Sequence, residues 1–245
     1  MLFTGFTDKG ISRSMNQDCF VVEKLPDLDA VILLVCDGMG GANAGNVASS
    51  LARDIFLDAV RGRLNADTTF EDVSVCVKDA VIQANDVIHK QGISDPDYAG
   101  MGTTLVAAIA FSDGRTVVVN VGDSRAYHIS KYDVDQITRD HSVVEDMIEK
   151  GEITRKESRA HPNKNLITKA IGTCEDIEPD VFTLKLTPGE HIMLCSDGLS
   201  NMLYKPEIMF EIRRADTLDE SCQGMLDIAL SRGAPDNVTA VLLKL

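Results

Sequence analysis

The stretch A-V-I-L-L-V-C-D-G-M-G-G at residues 30–41 decides how the chain is interpreted. Its unbroken apolar run is typical of a buried β-strand, and the acid and three glycines mark the exit of that strand. Three features fit such an exit: a phosphate cradle made of backbone amides, a metal ligand on a bend, or only a tight turn. A dinucleotide fingerprint would need a glycine where Asn43 stands, and no Lys-Ser/Thr pair follows to make a P-loop. A nucleotide-binding α/β enzyme is therefore the weakest alternative.

Composition limits the possible partners. The 245 residues are 44% hydrophobic, which suffices for one large core and predicts a single domain over residues 1–245. With 24 Lys and Arg against 38 Asp and Glu, the net charge of −14 argues against binding nucleic acid or an anionic membrane. The six cysteines form no C-x-x-C pair, which indicates reduced thiols and a cytoplasmic protein. No apolar run is long enough to span a bilayer, and a monomer is expected.

The pattern of apolar residues predicts strands in groups, separated by helices. Strands are expected at 2–7, 18–23 and 30–36, followed by helices at 43–63 and from 70 to a stop at Gly92, the second with a capping box from Thr68 to Glu71. Three strands then fall between 103 and 130. A polar, irregular part covers 140–175, and a hairpin joins 181–186 to 191–195. Two short helical stretches across 199–231 and a last strand at 237–245 complete the chain. This grouping favours an α+β fold with antiparallel sheets covered by helices.

Four aspartates lie at the ends of strongly apolar strands. Asp37, Asp123 and Asp197 follow strands, and Asp236 precedes the last one. Because the exit of one antiparallel strand lies beside the entrance of its neighbour, these carboxylates are placed to meet at one edge. Ionised carboxylates gathered in a partly buried site repel each other unless a divalent cation is bound, and oxygen ligands alone select Mg²⁺, Mn²⁺ or Ca²⁺. Each acid taken singly also fits a turn residue.

Seven motifs together resemble a known family. The chain is similar, in motif order and over about residues 4 to 244, to the metal-dependent type 2C protein serine/threonine phosphatases, and it looks like the compact bacterial single-domain branch. The motifs that carry the resemblance are R-S-M-N-Q-D (13–18), V-C-D-G-M-G-G (35–41), G-T-T (102–104), N-V-G-D-S-R-A-Y (120–127), T-R-D-H-S (138–142), L-C-S-D-G-L (194–199) and D-N-V-T (236–239).

The resemblance implies both a fold and a metal site. The fold would be a four-layer αββα sandwich, with two antiparallel sheets flanked by helix pairs and a flap subdomain over about 141–172. Asp37 would bridge two Mn²⁺ or Mg²⁺ ions, and the Gly38 carbonyl would complete the shell of the first. Asp197 and Asp236 would hold the second ion. Asp123, with Asp197, would form a third and weaker site.

Other residues take roles by the same resemblance. Arg13 would bind the substrate phosphate, since its planar guanidinium is a bidentate donor. Asp18 would reach a metal through water, and Asn237 would support Asp236 from behind. His161 in the flap either contacts substrate or is simply solvated. Met39 stands where many eukaryotic members have a histidine proposed to protonate the leaving group, and Gln17 replaces an acid found in many of them.

The resemblance therefore implies dephosphorylation of phosphoserine and phosphothreonine in proteins, a reaction of signal transduction. A metal-bridging hydroxide would attack in line, so no phosphoenzyme is needed. The substrates would be proteins phosphorylated by a cognate Ser/Thr kinase. The alternative is a catalytically silent relative that binds a metal or a partner.

Overall fold

The computed structural model describes residues 1–25, 27–41 and 44–245, and its strands form two antiparallel sheets. The first sheet has the order β1-β11-β10-β7-β8. Its strands are β1 (Leu2–Asp8), β7 (Arg125–Ile129), β8 (Val134–Gln136), β10 (His191–Cys195) and β11 (Val238–Lys244).

The second sheet has the order β2-β3-β5-β6-β9, and the short β4 pairs with the end of β3. Its strands are β2 (Asp18–Leu25), β3 (Ala30–Met39), β4 (Gly102–Thr103), β5 (Leu105–Phe111), β6 (Arg115–Val121) and β9 (Asp180–Lys185). The two sheets pack face to face through a core that includes Val31 and Leu33 of the second sheet and Leu194 and Val241 of the first.

Helices cover the outer face of each sheet. On the second sheet lie α1 (Ala44–Arg63) and α2 (Phe70–Ser94), and on the first lie the short α5 (Asp197–Ser200) with α6 (Lys205–Arg214) and α7 (Leu218–Ser231). Two further helices, α3 (Val143–Glu149) and α4 (Arg155–Ser158), belong to the irregular segment between β8 and β9. The predicted α+β class and the αββα layers are confirmed. No helix in the described ranges has the length and apolar character to cross a membrane.

Strand β3 is apolar at every position from Ala30 to Cys36 because both faces of this part are buried. Its side chains alternate between two cores: Ile32 and Leu34 pack under α1 and α2, while Val31, Leu33 and Val35 pack against the other sheet. A strand with a solvated face would instead alternate between apolar and polar residues. The run at 30–35 therefore places this strand in the middle of the molecule.

Several predicted boundaries need correction. Strand β3 continues to Met39, so Asp37 lies within the strand, and the chain turns at Gly40, whose φ is +139°. Helix α2 does not stop at Gly92 but at Ser94. Its capping box joins Thr69 to Asp72 rather than Thr68 to Glu71. The predicted helix start at Asn43 lies outside the described residues.

The predicted hairpin between 181–186 and 191–195 is wrong. Strand β9 pairs with β6 in the second sheet, whereas β10 lies between β11 and β7 in the first. The T-P-G-E connection at 187–190 therefore crosses between the sheets. The region 199–231 holds two full helices, α6 and α7, after the short α5. The sequence pattern also missed β4 and β8, which have only two and three residues.

Candidate active site

One end of the sandwich gathers the four aspartates predicted at strand ends. Asp37, Asp123, Asp197 and Asp236 line a cleft of about 350 Å³, together with Arg13. The topology explains this meeting: β3 and β6 end here in one sheet, and in the other β10 ends beside the start of β11. Residues from five separate parts of the chain thus share one surface.

The backbone of Asp37 is held on both sides by the G-T-T segment. Its N–H donates to the Thr104 hydroxyl at 3.0 Å, and its carbonyl accepts from the Thr104 N–H and the Thr103 hydroxyl, each at 2.9 Å. The Thr104 hydroxyl in turn lies 2.7 Å from the Ser124 hydroxyl, next to Asp123. The buried threonine therefore ties the backbone of Asp37 to the turn that carries Asp123.

The glycine after Asp37 is required by packing. A Cβ at Gly38 would lie 2.1 Å from the Gly45 carbonyl oxygen, at the start of α1. The glycine after Asp197 is required for the same reason, because a Cβ at Gly198 would lie 1.9 Å from the Asn237 carbonyl oxygen. Each Asp-Gly pair therefore marks a close approach of two backbones beside the cleft.

Asp18 lies beneath the cleft and connects the two sheets. It stands directly opposite Asp37 in the β2–β3 register. Its Oδ2 accepts from the Ser196 hydroxyl at 2.8 Å and the Thr239 hydroxyl at 2.6 Å. Its buried Oδ1 has no hydrogen-bond partner in the described residues, and neither has Oδ1 of Asp197. Two buried carboxylate oxygens are thus free to accept a ligand.

Arg13 and Asn237 belong to the same corner. Arg13 is about half exposed and donates from Nη2 to Asp236 Oδ2 at 2.8 Å. The buried Asn237 side chain accepts from the Gln17 N–H at 2.8 Å and donates to the carbonyls of Lys9 at 2.9 Å and Met15 at 3.0 Å. It therefore holds the loop that presents Arg13.

Burial makes the carboxylates of the site resist ionisation. Burial raises the pKa of Asp18 and of Asp197 to about 6, and the negative charge of Asp236 adds to both shifts. Burial also raises the pKa of Asp37 and Asp123 well above their usual range, with further repulsion from the neighbouring aspartates. Such shifts arise when like charges share a poorly solvated site. A bound cation would reverse them.

The residues present fit a hard divalent cation. The donors are carboxylate and carbonyl oxygens, two of them buried and unpartnered, and no His or Cys lines the cleft in the described residues. In those same ranges, no three His, Cys, Asp or Glu side chains already stand as a metal-ligand set. The aspartates are arranged around the cleft rather than in a closed shell.

Comparison with known proteins decides the family. The protein phosphatase 2C family pattern matches residues 10–240. The chain belongs to the protein phosphatase 2C family. This confirms the predicted bacterial-type relationship and the predicted enzyme class, a protein-serine/threonine phosphatase.

Individual relatives are similar over nearly their whole length. The serine/threonine phosphatase stp of Listeria monocytogenes is 36% identical over 238 residues, which cover 97% of this chain and 93% of that protein. The crystal structure of the serine/threonine phosphatase Stp1 from Staphylococcus aureus superposes with a TM-score of 0.88 at 32% identity, covering 99% and 94% of the two chains. The catalytic domain of the phosphatase PstP, solved in complex with two manganese ions, has a TM-score of 0.84 at 31% identity, covering 98% and 96%.

Among the predicted site residues of this phosphatase, His161 lies apart from the cleft. His161 does not line the cleft; its Nδ1 accepts from the Asn163 N–H at 3.2 Å within the segment 141–172. That segment instead presents Asn165, Leu166 and Ile167 to the cleft. These side chains carry no recognisable chemical motif, so sequence reasoning missed them.

The buried His141 was also missed as a supporting residue, although the T-R-D-H-S motif contains it. Its Nδ1 accepts from the Gly122 N–H at 3.1 Å, and its Nε2 lies 3.2 Å from Asp180 Oδ2. Burial lowers its pKa. In this phosphatase a neutral His141 therefore anchors the turn that holds Asp123.

Proposed function

We propose that this phosphatase hydrolyses phosphoserine and phosphothreonine in proteins, using Mn²⁺ or Mg²⁺ held by the aspartates of the cleft. One observation carries the proposal: four aspartates from distant parts of the chain line a single cleft with an arginine at its rim. A group of aspartates that can hold divalent cations, next to an arginine that can bind phosphate, is the arrangement that metal-assisted phosphoryl transfer needs.

Each residue has a distinct proposed task. Asp37 would be shared by two cations, and the Gly38 carbonyl would help to hold the first of them. Asp197 and Asp236 would hold the second, and Asp123 with Asp197 would hold a third, weaker ion. The firm backbone attachment of Asp37 to Thr104 supports this assignment, because a bridging ligand must keep its position.

Asp18 acts through water and through charge. Its Oδ2 is fully occupied by two hydroxyls, so only the buried Oδ1 is free to accept from a water in a metal's shell. The negative charge of Asp18 would also strengthen binding of cations by the aspartates above it.

When bound, these cations would supply an acidified water for in-line attack and neutralise charge on the phosphoryl group. Arg13 would bind phosphoryl oxygens with the guanidinium donors that Asp236 does not use. Asn237 would hold the loop that carries Arg13 beside the cleft, through its hydrogen bonds to the loop backbone. Met39 lines the cleft but cannot donate a proton, so the leaving alkoxide would take its proton from water.

A similar solved structure supports the choice of metal. The PstP catalytic domain was solved in complex with two manganese ions, and this chain is similar to it along 98% of its length. We extend the two-ion arrangement to this chain as part of the proposal. Mg²⁺ presents the same hard-acid chemistry and remains the alternative cation.

Hydrolysis of p-nitrophenyl phosphate and of a phosphothreonine peptide tests the proposal. Both activities should require added Mn²⁺ or Mg²⁺, disappear with excess EDTA and return when the metal is restored. Full activity in chelator would overturn the metal mechanism. Metal binding without any hydrolysis would instead favour the catalytically silent relative, an alternative that the complete set of aspartates and Arg13 does not favour.

The wider setting belongs to the same proposal. The substrates would be proteins phosphorylated by a cognate Ser/Thr kinase, so the enzyme would reverse a signalling modification. A monomer and a cytoplasmic location remain predictions from composition, as does the extent of the single catalytic domain.

A further inference from the structure

A groove beside helix α6 exposes two aromatic side chains to solvent. Tyr132, in the turn between β7 and β8, is 80% exposed, and Phe210 of α6 is 61% exposed. Val134 and Met209 also line this cavity of about 650 Å³. We call this surface the α6 groove. Exposed aromatic rings over an apolar floor are the composition expected at the centre of a protein–protein contact.

The rim of the α6 groove is positively charged on a strongly acidic protein. Lys205 and Arg213 line it, and Lys131 lies next to it with its ammonium 5.3 Å from the Tyr132 ring centre. Within the described ranges, no carboxylate lies within 4.0 Å of these three cations. Asp133 is the carboxylate among the lining residues. Against a net charge of −14, this rim selects a negatively charged partner.

The groove is long enough for a peptide in extended conformation. A second cavity of about 460 Å³ shares Met209 and Arg213 with it and continues past Ile212 to the start of β10. Helix α6 has 10 residues and is about 15 Å long, a length that about five extended residues cover.

The α6 groove lies at the opposite end of the strands from the cleft. Strand β7 begins two residues after Asp123 and ends three residues before Tyr132, so its five residues separate the two surfaces by roughly 17 Å. The groove and the cleft have no lining residue in common. Binding in the groove therefore leaves the cleft free for a phosphorylated side chain.

We propose that the α6 groove docks an acidic segment of the protein substrate that carries an aromatic or large aliphatic residue, away from the phosphorylated site. The inference rests on the proposed function, since it assigns a second contact to the same phosphoprotein. Tyr132 and Phe210 bind the apolar side chain of that segment. Lys131, Lys205 and Arg213 pair with its carboxylates, and the local substrate concentration at the cleft rises.

Direct binding to a fluorescein-labelled Glu-Glu-Leu-Phe-Glu-Glu peptide, followed by fluorescence anisotropy, tests the docking step. Tyr132→Ala should raise Kd about tenfold, as expected for an aromatic anchor. Lys205→Glu should raise it about threefold, the range of an exposed ion pair. The first turn of α6 tolerates an acid, so Lys205→Glu should keep the fold.

Matched controls separate the groove from general charge effects. Lys24→Glu makes the same change in net charge on another exposed lysine and should leave Kd unchanged. A Lys-Lys-Leu-Phe-Lys-Lys peptide should not bind. Absence of binding by the acidic peptide, or equal Kd values for the wild type and Tyr132→Ala, would overturn the proposal.

A kinetic test links docking to turnover. A phosphothreonine peptide joined to the acidic segment by a flexible linker of about 20 residues, with a root-mean-square reach of roughly 25 Å, should have a higher kcat/KM than the same peptide without the segment. Tyr132→Ala should abolish this advantage and leave p-nitrophenyl phosphate hydrolysis unchanged. If the enzyme hydrolyses p-nitrophenyl phosphate but the joined acidic segment does not raise kcat/KM, the docking proposal is refuted and the proposed function stands. If the acidic peptide does not bind the wild type, and Tyr132→Ala changes the sedimentation coefficient of the free protein, the groove would be a contact between two copies of the chain. That result would overturn the proposal.

Discussion

Replacing Asp18 by asparagine should stabilise the metal-free protein at neutral pH while weakening metal binding. Asp18 is buried, its Oδ2 accepts from Ser196 and Thr239, and its Oδ1 has no partner in the described residues. Ionisation of such a group costs free energy in the folded state, because burial and the charges of Asp197 and Asp236 oppose it.

The size of this effect comes from the pKa. Burial raises the pKa of Asp18 from its ordinary value of 3.8 to about 6. Between those values the folded state binds more protons than the unfolded state, so stability falls as pH rises through this window and is lowest above it. About two pKa units correspond to about 3 kcal/mol at 1.36 kcal/mol per unit. An imperfectly bonded amide costs about 1 kcal/mol, which leaves a net gain of about 2 kcal/mol for the variant at pH 7.5.

Urea unfolding in EDTA, at pH 4.5 and at pH 7.5, measures this difference. Asp18→Asn should be the more stable protein at pH 7.5, and its advantage should shrink or disappear at pH 4.5, where the wild-type carboxyl is protonated. Saturating Mn²⁺ should stabilise the wild type more than the variant, because only the wild type keeps the supporting charge. If the variant is less stable than the wild type at pH 7.5 in EDTA, the assignment of Asp18 as an electrostatically costly group is refuted.

The remaining predictions concern catalysis and packing. Asp37→Asn should lower kcat for p-nitrophenyl phosphate by about a hundredfold or more with an unchanged circular dichroism spectrum; near-normal turnover would remove Asp37 from the mechanism. Arg13→Ala should mainly raise KM, and a large kcat loss at constant KM in steady-state kinetics would count against a ground-state phosphate clamp. Phe56→Ala, at a fully buried position of α1, should cost about 3–5 kcal/mol in urea unfolding; a loss under about 1 kcal/mol would mean that the core beneath α1 refills.

Local patterns were good guides where the signal lay within one element. The apolar run at 30–35 predicts a central strand because both faces of that strand meet a core. The spacing of Phe70, Val73 and Val77 correctly predicts an amphipathic helix. Its exact cap was less readable, since Thr68 and Thr69 both offer a hydroxyl with an acid three residues later, and only Thr69 is used.

Strand pairing was the main failure of local reasoning. The segments 181–186 and 191–195, joined by T-P-G-E, have every local property of a hairpin. Their partners are nevertheless β6 for the first and β7 and β11 for the second. The backbone of a strand can form the same hydrogen bonds with any neighbouring strand. Burial of side chains in the core between the two sheets therefore decided which strands pair.

The sequence by itself determined four aspartates next to apolar strands, the glycine beside three of them, and the likeness of the chain to one enzyme family. In V-C-D-G-M-G-G it placed the acid at the exit of the strand, which is wrong. The tertiary structure places Asp37 inside β3, opposite Asp18, and requires Gly38 because the start of α1 passes over it. Only the packing of two sheets brought Asp37, Asp123, Asp197 and Asp236 to one cleft and opened the α6 groove at the other end. The physical reason is that the type of each residue fixes which chemistry it can perform. The distance between residues far apart in the chain depends instead on which surfaces of the sheets and helices pack together.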